Sequence, residues 1–283
     1  MTRFVVVPQW QGSPAARAMH LVDGAEAIAG DLPRARTVRV EVPPSAGESL
    51  DTGIRRFSTL ARVEIAVTEA LAMEGVDASG AAGHEPAIVV GGDCGVAVPA
   101  IAHAAATHEG LAVVWFDAHG DLHSPATSPS GAFAGMALRA VFDDLPLPAS
   151  RTEPGTVPAE RVFLAGAREL DDAESDLLRR GAPMHLEPAD LTAPAALADA
   201  VTASGATALY IHVDLDVLDP AVITGVALPV PFGLSLEQLV AAIAAVRARV
   251  PLVGGSIAGF APASAGAAVD DLGTILRVVG ALA

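Results

Sequence analysis

The sequence contains no lysine: its 17 basic residues are all arginine. Alongside many Ala, Gly and Pro, this reads as the codon bias of a GC-rich genome. It also excludes a lysine Schiff base and the lysine of a phosphate-binding loop. Basic charge is scarce overall, with 33 acidic residues and a net charge of −16. Such a field repels nucleic acid and anionic membranes, so neither is expected as a partner. Cys94 is the only cysteine, which rules out an intrachain disulfide and suits a reducing, cytoplasmic setting. Long apolar runs are missing too. The longest uncharged stretch, Val250 to Val269, holds Pro251, Pro262 and four glycines. It is expected to be a buried strand, a loop and a helix start rather than a membrane span. Met1-Thr2-Arg3 leads straight into Phe4-Val5-Val6-Val7, too short a lead for a signal peptide.

What is present is a chain of 283 residues, 52% hydrophobic and 18% charged. That is neither disordered nor coiled-coil composition, and it can bury a large core. Apolar runs of strand length alternate with helical patterns. Strands are expected at Phe4–Val7, Thr37–Val42, Ala87–Val90, Leu111–Phe116, Arg161–Ala165, Ala208–Val213 and Leu252–Ile257. Most are continuous and rich in β-branched residues, as parallel strands covered on both faces should be. Helices are expected at Ala15–Ala29, Ser58–Met73, Val96–Thr107, Asp171–Arg180 and Ser235–Val246. Ser235, followed by Glu237 and Gln238, is a good helix start. The order predicts one doubly wound α/β domain over residues 1–283. No internal repeat is visible. The proline-rich stretch Leu145–Pro158 is expected to be an exposed loop.

Ligands of open α/β sheets bind at the carboxyl ends of the strands. Here those places are polar. Asp117, His119, Asp121 and His123 follow one strand; Asp214, Asp216 and Asp219 follow another; Asp93 and Cys94 follow a third. Alternate residues of an extended segment share a face, so Asp117, His119 and Asp121 are expected to converge, as are Asp214 and Asp216. Gathering carboxylates at the end of an apolar sheet is costly without cations. Carboxylates with one imidazole suit a pair of hard divalent ions, Mn²⁺ being a natural candidate. Such a pair can deprotonate a shared water. The bland alternative is that the acids cap turns, which is the reading taken for Asp219-Pro220. His123 alone is as well read as a polar loop residue as a substrate contact.

In this order, Gly91-Gly92-Asp93-Cys94, Asp117-Ala118-His119-Gly120-Asp121 and His212-Val213-Asp214-Leu215-Asp216-Val217-Leu218-Asp219-Pro220 resemble the motifs of the ureohydrolase superfamily. Its members include arginases, agmatinases and formimidoylglutamases. The resemblance implies a three-layer α/β/α fold around a mostly parallel sheet of about eight strands. It implies two Mn²⁺ ions bridged by water or hydroxide. One would take Cys94, Asp117, Asp121 and Asp214; the other would take His119, Asp117, Asp214 and Asp216. Asp121 would also orient the nucleophile toward an amidino carbon, and a trimer or hexamer would be the usual assembly. The segment Arg168 to Glu174 resembles the one that presents acids to the substrate in arginases. Asp171 and Glu174 fall on those positions, though an acid-rich helix start explains them equally well.

Four departures stand out. Cys94 occupies the place of a histidine ligand and, being softer, favours Zn²⁺ or Fe²⁺ relative to imidazole. Metal ligand ranks first for it, buried filler second and nucleophile last. Ala134 stands where the family keeps a proton-shuttling histidine, so a less basic leaving group, or His123 in its stead, is called for. Gly259 stands where most members carry the glutamate that binds the guanidinium. That argues against plain arginine or agmatine as substrate. His212 replaces a serine, with no assigned role beyond core or outer-shell hydrogen bonding. The expected function is hydrolysis of a C–N bond in a modified amidino compound, such as a hydroxyguanidine or formimino compound. The alternatives are a non-catalytic relative acting by binding or assembly, and a phosphatase or amidase with a similar metal pair.

Overall fold

The computed structural model describes residues 2–73, 86–143, 145, 157–181 and 183–283. Its strands are β1 (Arg3–Val7), β2 (Thr37–Arg39), β3 (Ala87–Gly91), β4 (Leu111–Phe116), β5 (Val162–Ala165), β6 (Met184–Leu186), β7 (Ala208–Asp214) and β8 (Leu252–Ala258). They form one sheet in the order β2-β1-β3-β8-β7-β4-β5-β6, with every pairing parallel. The helices are α1 (His20–Gly30), α2 (Phe57–Ala72), α3 (Ala97–Thr107), α4 (Arg139–Phe142), α5 (Asp172–Leu178), α6 (Pro194–Ala203), α7 (Leu236–Arg247) and α8 (Ala265–Leu282).

Strand alternation builds two cores. Phe4, Val6, Ile88, Val114, Phe116 and Ile211 pack with α1, α6, α7 and α8 on one face. Val5, Val7, Val89, Val113, Trp115 and Tyr210 pack with α2, α3 and α4 on the other. Period-two side chains facing apolar helices on both sides leave no room for a polar face, hence the uninterrupted apolar strands. The result is the three-layer α/β/α architecture that the sequence predicts. The uncharged stretch from Val250 divides into β8, a loop and the start of α8. Among the described residues, no helix is long and apolar enough to cross a membrane.

Some boundaries differ from expectation. The strand expected to reach Val42 ends at Arg39; it is an edge strand, and Pro43 and Pro44 supply no donor to extend it. α1 begins at His20 rather than Ala15, because the residues before it form tight turns: the N–H groups of Ala18 and His20 donate three residues back, to the carbonyls of Ala15 and Arg17. β6 and α6 were not expected. β6 has only three residues, too few for a pattern, and α6 opens with Pro194 in its first turn, which reads as a breaker until its position is known. Ser235 caps α7 in a reciprocal box with Gln238. Of the proline-rich stretch, residues 146–156 lie outside the described residues, while Leu145 and Val157 beside them are buried.

Candidate metal centre

The carboxyl ends of β3, β8, β7 and β4, neighbours at the middle of the sheet, open into a cleft of about 360 Å³. Cys94, Asp117, His119, Asp121, Asp214 and Asp216 all line it. Gly91-Gly92 lets β3 turn sharply there: a side chain at Gly92 would sit 1.8 Å from the Gln9 carbonyl oxygen. Asp93 lines the cleft as well, but its carboxylate is taken up by hydrogen bonds. It accepts from Gln9 Nε2, Gly12 N and Gly95 N at 2.8, 2.9 and 3.0 Å, although burial still raises its pKa to about 6.

His119 lies between two acids, with Nδ1 3.4 Å from Asp117 Oδ1 and 3.1 Å from Asp216 Oδ2. The acids are otherwise partnered. Trp115 Nε1 and the His119 N–H donate to Asp117 at 3.0 and 2.8 Å, and the Ala118 N–H donates to Asp216 at 3.1 Å. Burial opposes charging the imidazole, but the two carboxylates outweigh it and carry its pKa up to about 12. Burial likewise opposes ionising Asp117, and His119 outweighs it, so that acid is held low.

Across the cluster the balance is different. Cys94 Sγ donates to Asp214 Oδ2 at 2.8 Å and lies 3.8 Å from Asp117 Oδ2. Burial, then Asp214, Asp121 and Asp117, push its thiol well up. Burial and the Asp117 charge push Asp121 well up, and burial and Asp216 do the same to Asp214. Asp216 is raised by burial and Asp117. Asp121 Oδ2 is buried with no hydrogen-bond partner among the described residues. Acids that repel one another, one of them orphaned, fit bound cations: positive charge there relieves the repulsion and supplies the missing partner.

The convergence expected from extended geometry is reached by another route. Beyond β4 the chain is irregular, and Asp121 sits in the left-handed region at φ +52. Asp117, His119 and Asp216 bring ligand atoms within 4.8 Å of one another, as do Asp117, Cys94 and His212. Asp121 joins neither trio, though it faces the same cleft. Asp214 and Asp216 converge because Asp214 caps a short turn, its Oδ1 accepting the Asp216 N–H at 3.0 Å, not because they share a strand face. Asp219 takes the N–H groups of Ala221 and Gly233, a turn-capping role.

At the cleft's rim, His123 Nε2 lies 3.3 Å from Asp171 Oδ2 and 3.9 Å from Glu174 Oε1. Its Nδ1 meets Thr127 Oγ1 at 3.2 Å. The His123 N–H donates to the Gly135 carbonyl at 3.0 Å, and ring carbon Cδ2 lies 3.8 Å from where a Cβ on Gly135 would stand, one residue from Ala134. Asp171 and Glu174 form the capping box of α5. Glu174 Oε2 accepts from Asp171 N within the box and its Oε1 from Leu122 N, and the residue lines the cleft with Asp171. Asp171 caps with Oδ1 and keeps Oδ2 toward His123. Helix start and cleft lining are thus both true of Asp171.

Two features escaped the sequence. Arg168 donates to the carbonyls of Pro231, Gly166, Val217, Asp216 and Val230, pinning the loop after β7 to the end of β5. A cation directly after a buried strand, amid acids, was the available signal. Gly259 is required as well as permissive: it has φ +88, and a Cβ there would fall 2.1 Å from Asp214 Oδ1.

The sequence profile described as the arginase family matches residues 27–272. An N(omega)-hydroxy-L-arginine amidinohydrolase of Streptomyces lavendulae is 29% identical over 278 residues, 95% of this chain and 93% of that protein. An arginase of Bacillus caldovelox is 31% identical over 217 residues, 74% of this chain and 68% of its own. The solved structure of Entamoeba histolytica arginase in complex with L-ornithine shares the fold at 21% identity, with a TM-score of 0.82 over 99% of this chain and 97% of that one. Motif order, sheet topology and profile agree, and the chain belongs to the arginase family.

Proposed function

We propose that the chain hydrolyses a C–N bond of a modified guanidine, with an N-hydroxyguanidino amino acid as substrate and an amine and a hydroxyurea as products. The observation that carries this is the acid cluster itself, buried, mutually repelling and short of partners at the mouth of a cleft. Cys94, Asp117, Asp121 and Asp214 would hold one divalent ion. His119, Asp117, Asp214 and Asp216 would hold the second, with Mn²⁺ the expected metal. Bound there, the ions supply Lewis acidity and make hydroxide available from water near neutral pH.

The chain's own groups do the rest. Asp121 Oδ2, without a partner among the described residues, accepts a proton from the attacking water and orients it. The water oxygen bonds to the amidino carbon, the bond to the departing amine breaks, and that nitrogen takes up a proton. His123, which lines the cleft together with Ala134, is the proposed donor. Asp171 Oδ2 offers a half-exposed anion to the substrate's amino group. The missing carboxylate at Gly259 favours a guanidine that need not be cationic. An N-hydroxyl lowers guanidine basicity, and the Streptomyces relative is named for such a substrate. The expected assembly, on the family resemblance, is a trimer or hexamer, to be checked by light scattering.

The test is a substrate panel with Mn²⁺-loaded protein. Faster turnover of N-hydroxyarginine than of arginine or agmatine is expected, abolished in Asp121→Asn. Arginine as the best substrate would overturn the specificity. Full metal loading with no turnover of any amidino compound would favour a binding or assembly role instead.

A further inference from the structure

One nitrogen beneath the acid cluster has no place in the scheme above. His212 stands on β7 two residues before Asp214, so its ring points to the same side of the sheet. It is fully buried. One face lies on Trp115, with ring centroids 3.8 Å apart at 35°, and that same indole donates to Asp117 Oδ2. Nδ1 is 2.7 Å from Ser256 Oγ, which stands directly opposite on β8. Nε2 has no hydrogen-bond partner among the described residues. A ring nitrogen of His212, Cys94 Sγ and an Asp117 oxygen lie within 4.8 Å of one another. With Nδ1 engaged by Ser256, Nε2 is the atom left to serve.

We propose that His212 Nε2 is a metal ligand on the Cys94 side of the centre, where imidazole, thiolate and Asp117 together make a softer site than the His119 side. The inference rests on the reading that divalent ions bind here. Two observations beyond the lone cysteine carry it: a buried imidazole nitrogen without a partner, and its convergence with two other ligand atoms. Buried polar atoms are nearly always satisfied, and an exception calls for an unseen partner. Ser256 supplies what a ligating histidine needs on its other nitrogen, a hydrogen bond that fixes tautomer and ring orientation. Trp115 fixes the ring plane and Asp117 together. A site of nitrogen and sulfur selects Zn²⁺ or Co²⁺ over Mn²⁺ more strongly than oxygen ligands do. The imidazole missing from position 94 would thus be supplied from below.

The test is metal binding, read without turnover. Native protein and the variants His212→Phe, His212→Gln and Ser256→Ala are stripped of metal, checked for an unchanged fold by circular dichroism, and titrated with Co²⁺, Zn²⁺ and Mn²⁺. His212→Phe keeps the stack on Trp115, and Ser256→Ala keeps the imidazole itself. Both His212 variants should lose at least about tenfold in Zn²⁺ and Co²⁺ affinity, with a smaller change for Mn²⁺, and should alter the cobalt d–d bands while the sulfur-to-cobalt charge-transfer band persists. Ser256→Ala should weaken Zn²⁺ by roughly tenfold, the size of an outer-shell loss. Native affinities and spectra in both His212 variants would overturn this inference alone. A native chain that takes up no divalent ion would overturn it together with the proposed function.

Discussion

On one side of the acid cluster, His119 is gripped by Asp117 and Asp216, and each of those acids also takes a backbone N–H. On the other side, a thiol leans on Asp214, and Asp121 keeps one oxygen without a partner. The first side is nearly self-sufficient: its imidazole charge and carboxylate charges offset one another inside the protein. The second has acids, a thiol and the His212 imidazole, which burial keeps from charging; the acids and the thiol repel when ionised, and burial with that repulsion favours their protonated forms. The demand for an added cation is therefore unequal. The Cys94 side needs the ion to be stable in its ionised form, whereas the His119 side gives up an internal ion pair to receive one.

The comparison breaks most readily at the groups shared by both sides. Asp214→Ala removes the thiol's acceptor and the cap of the turn that carries Asp216. It should empty both sides and cost more than the roughly 100-fold that an outer-shell loss brings. Asp216→Ala should spare the ion beside Cys94. Elemental analysis per chain after dialysis separates them: two ions retained in Asp214→Ala would end the picture of shared ligands.

His123 stands outside both sides, so its loss should leave metal content intact while slowing the chemistry. His123→Asn is expected to lower kcat by roughly 100-fold, the low end of what a positioned proton donor contributes. KM should move less, because Asp171 still faces the substrate. An unchanged kcat would return the proton donor's role to solvent.

Removing the metal sharpens the contrast through pH. In the stripped protein, Asp121, Asp214 and Asp216 have raised pKa values, chiefly through burial, so the fold binds their protons more tightly than the unfolded chain does. The stability they contribute is present below the ordinary carboxylate range and is lost as pH rises through the raised values. Asp93 adds to this up to about 6. His119 acts in the same direction over a higher window, from its ordinary value of about 6.5 up to about 12. Asp117, held low by His119, matters only in acid, where its contribution is lost as pH falls. Below its ordinary value of about 6.5 His212, which burial lowers to about 3, acts in the opposite direction, so the contrast is clean above it, and the stripped protein should melt lower at pH 9 than at pH 7. Metal binding displaces protons and strengthens with pH, so the melting gap between loaded and stripped forms should widen. A constant gap would mean that the acids are not the ligands.

The same contrast explains what the sequence could reveal. The sheet was legible because strands buried on both faces must be apolar throughout, as Leu111–Phe116 and Ala208–Val213 are. The acids were legible because each run breaks such a strand. The path by which they meet was not: Asp121 arrives through a left-handed residue and Asp216 through a capped turn, neither of which has a periodic signature. β6 and α6 escaped because a short edge strand and a proline-led, alanine-rich helix carry little pattern. His212 was visible as a departure, but its unpartnered nitrogen depends on Ser256 and Trp115, which are distant in sequence and adjacent only once β4, β7 and β8 pair.

The smallest expected effect separates centre from periphery with one kind of substitution. At Gly259 the backbone is left-handed and an added methyl would strike Asp214 Oδ1. Gly259→Ala must therefore strain the backbone and displace a shared ligand, at a cost of about 1–3 kcal/mol for the conformation alone, with impaired metal uptake. Gly259→Glu should suffer the same collision, so restoring the family's carboxylate by itself should not confer arginine hydrolysis. At Gly273, exposed within α8 with nothing within 4 Å of a new Cβ, the same glycine-to-alanine change should stabilise by about 0.5–1 kcal/mol through helix propensity. Denaturant midpoints for the pair should move in opposite directions, and metal content should change only for Gly259→Ala. Equal shifts would mean that the glycine beneath Asp214 tolerates a side chain, and that its place near the ligand is no constraint on the centre.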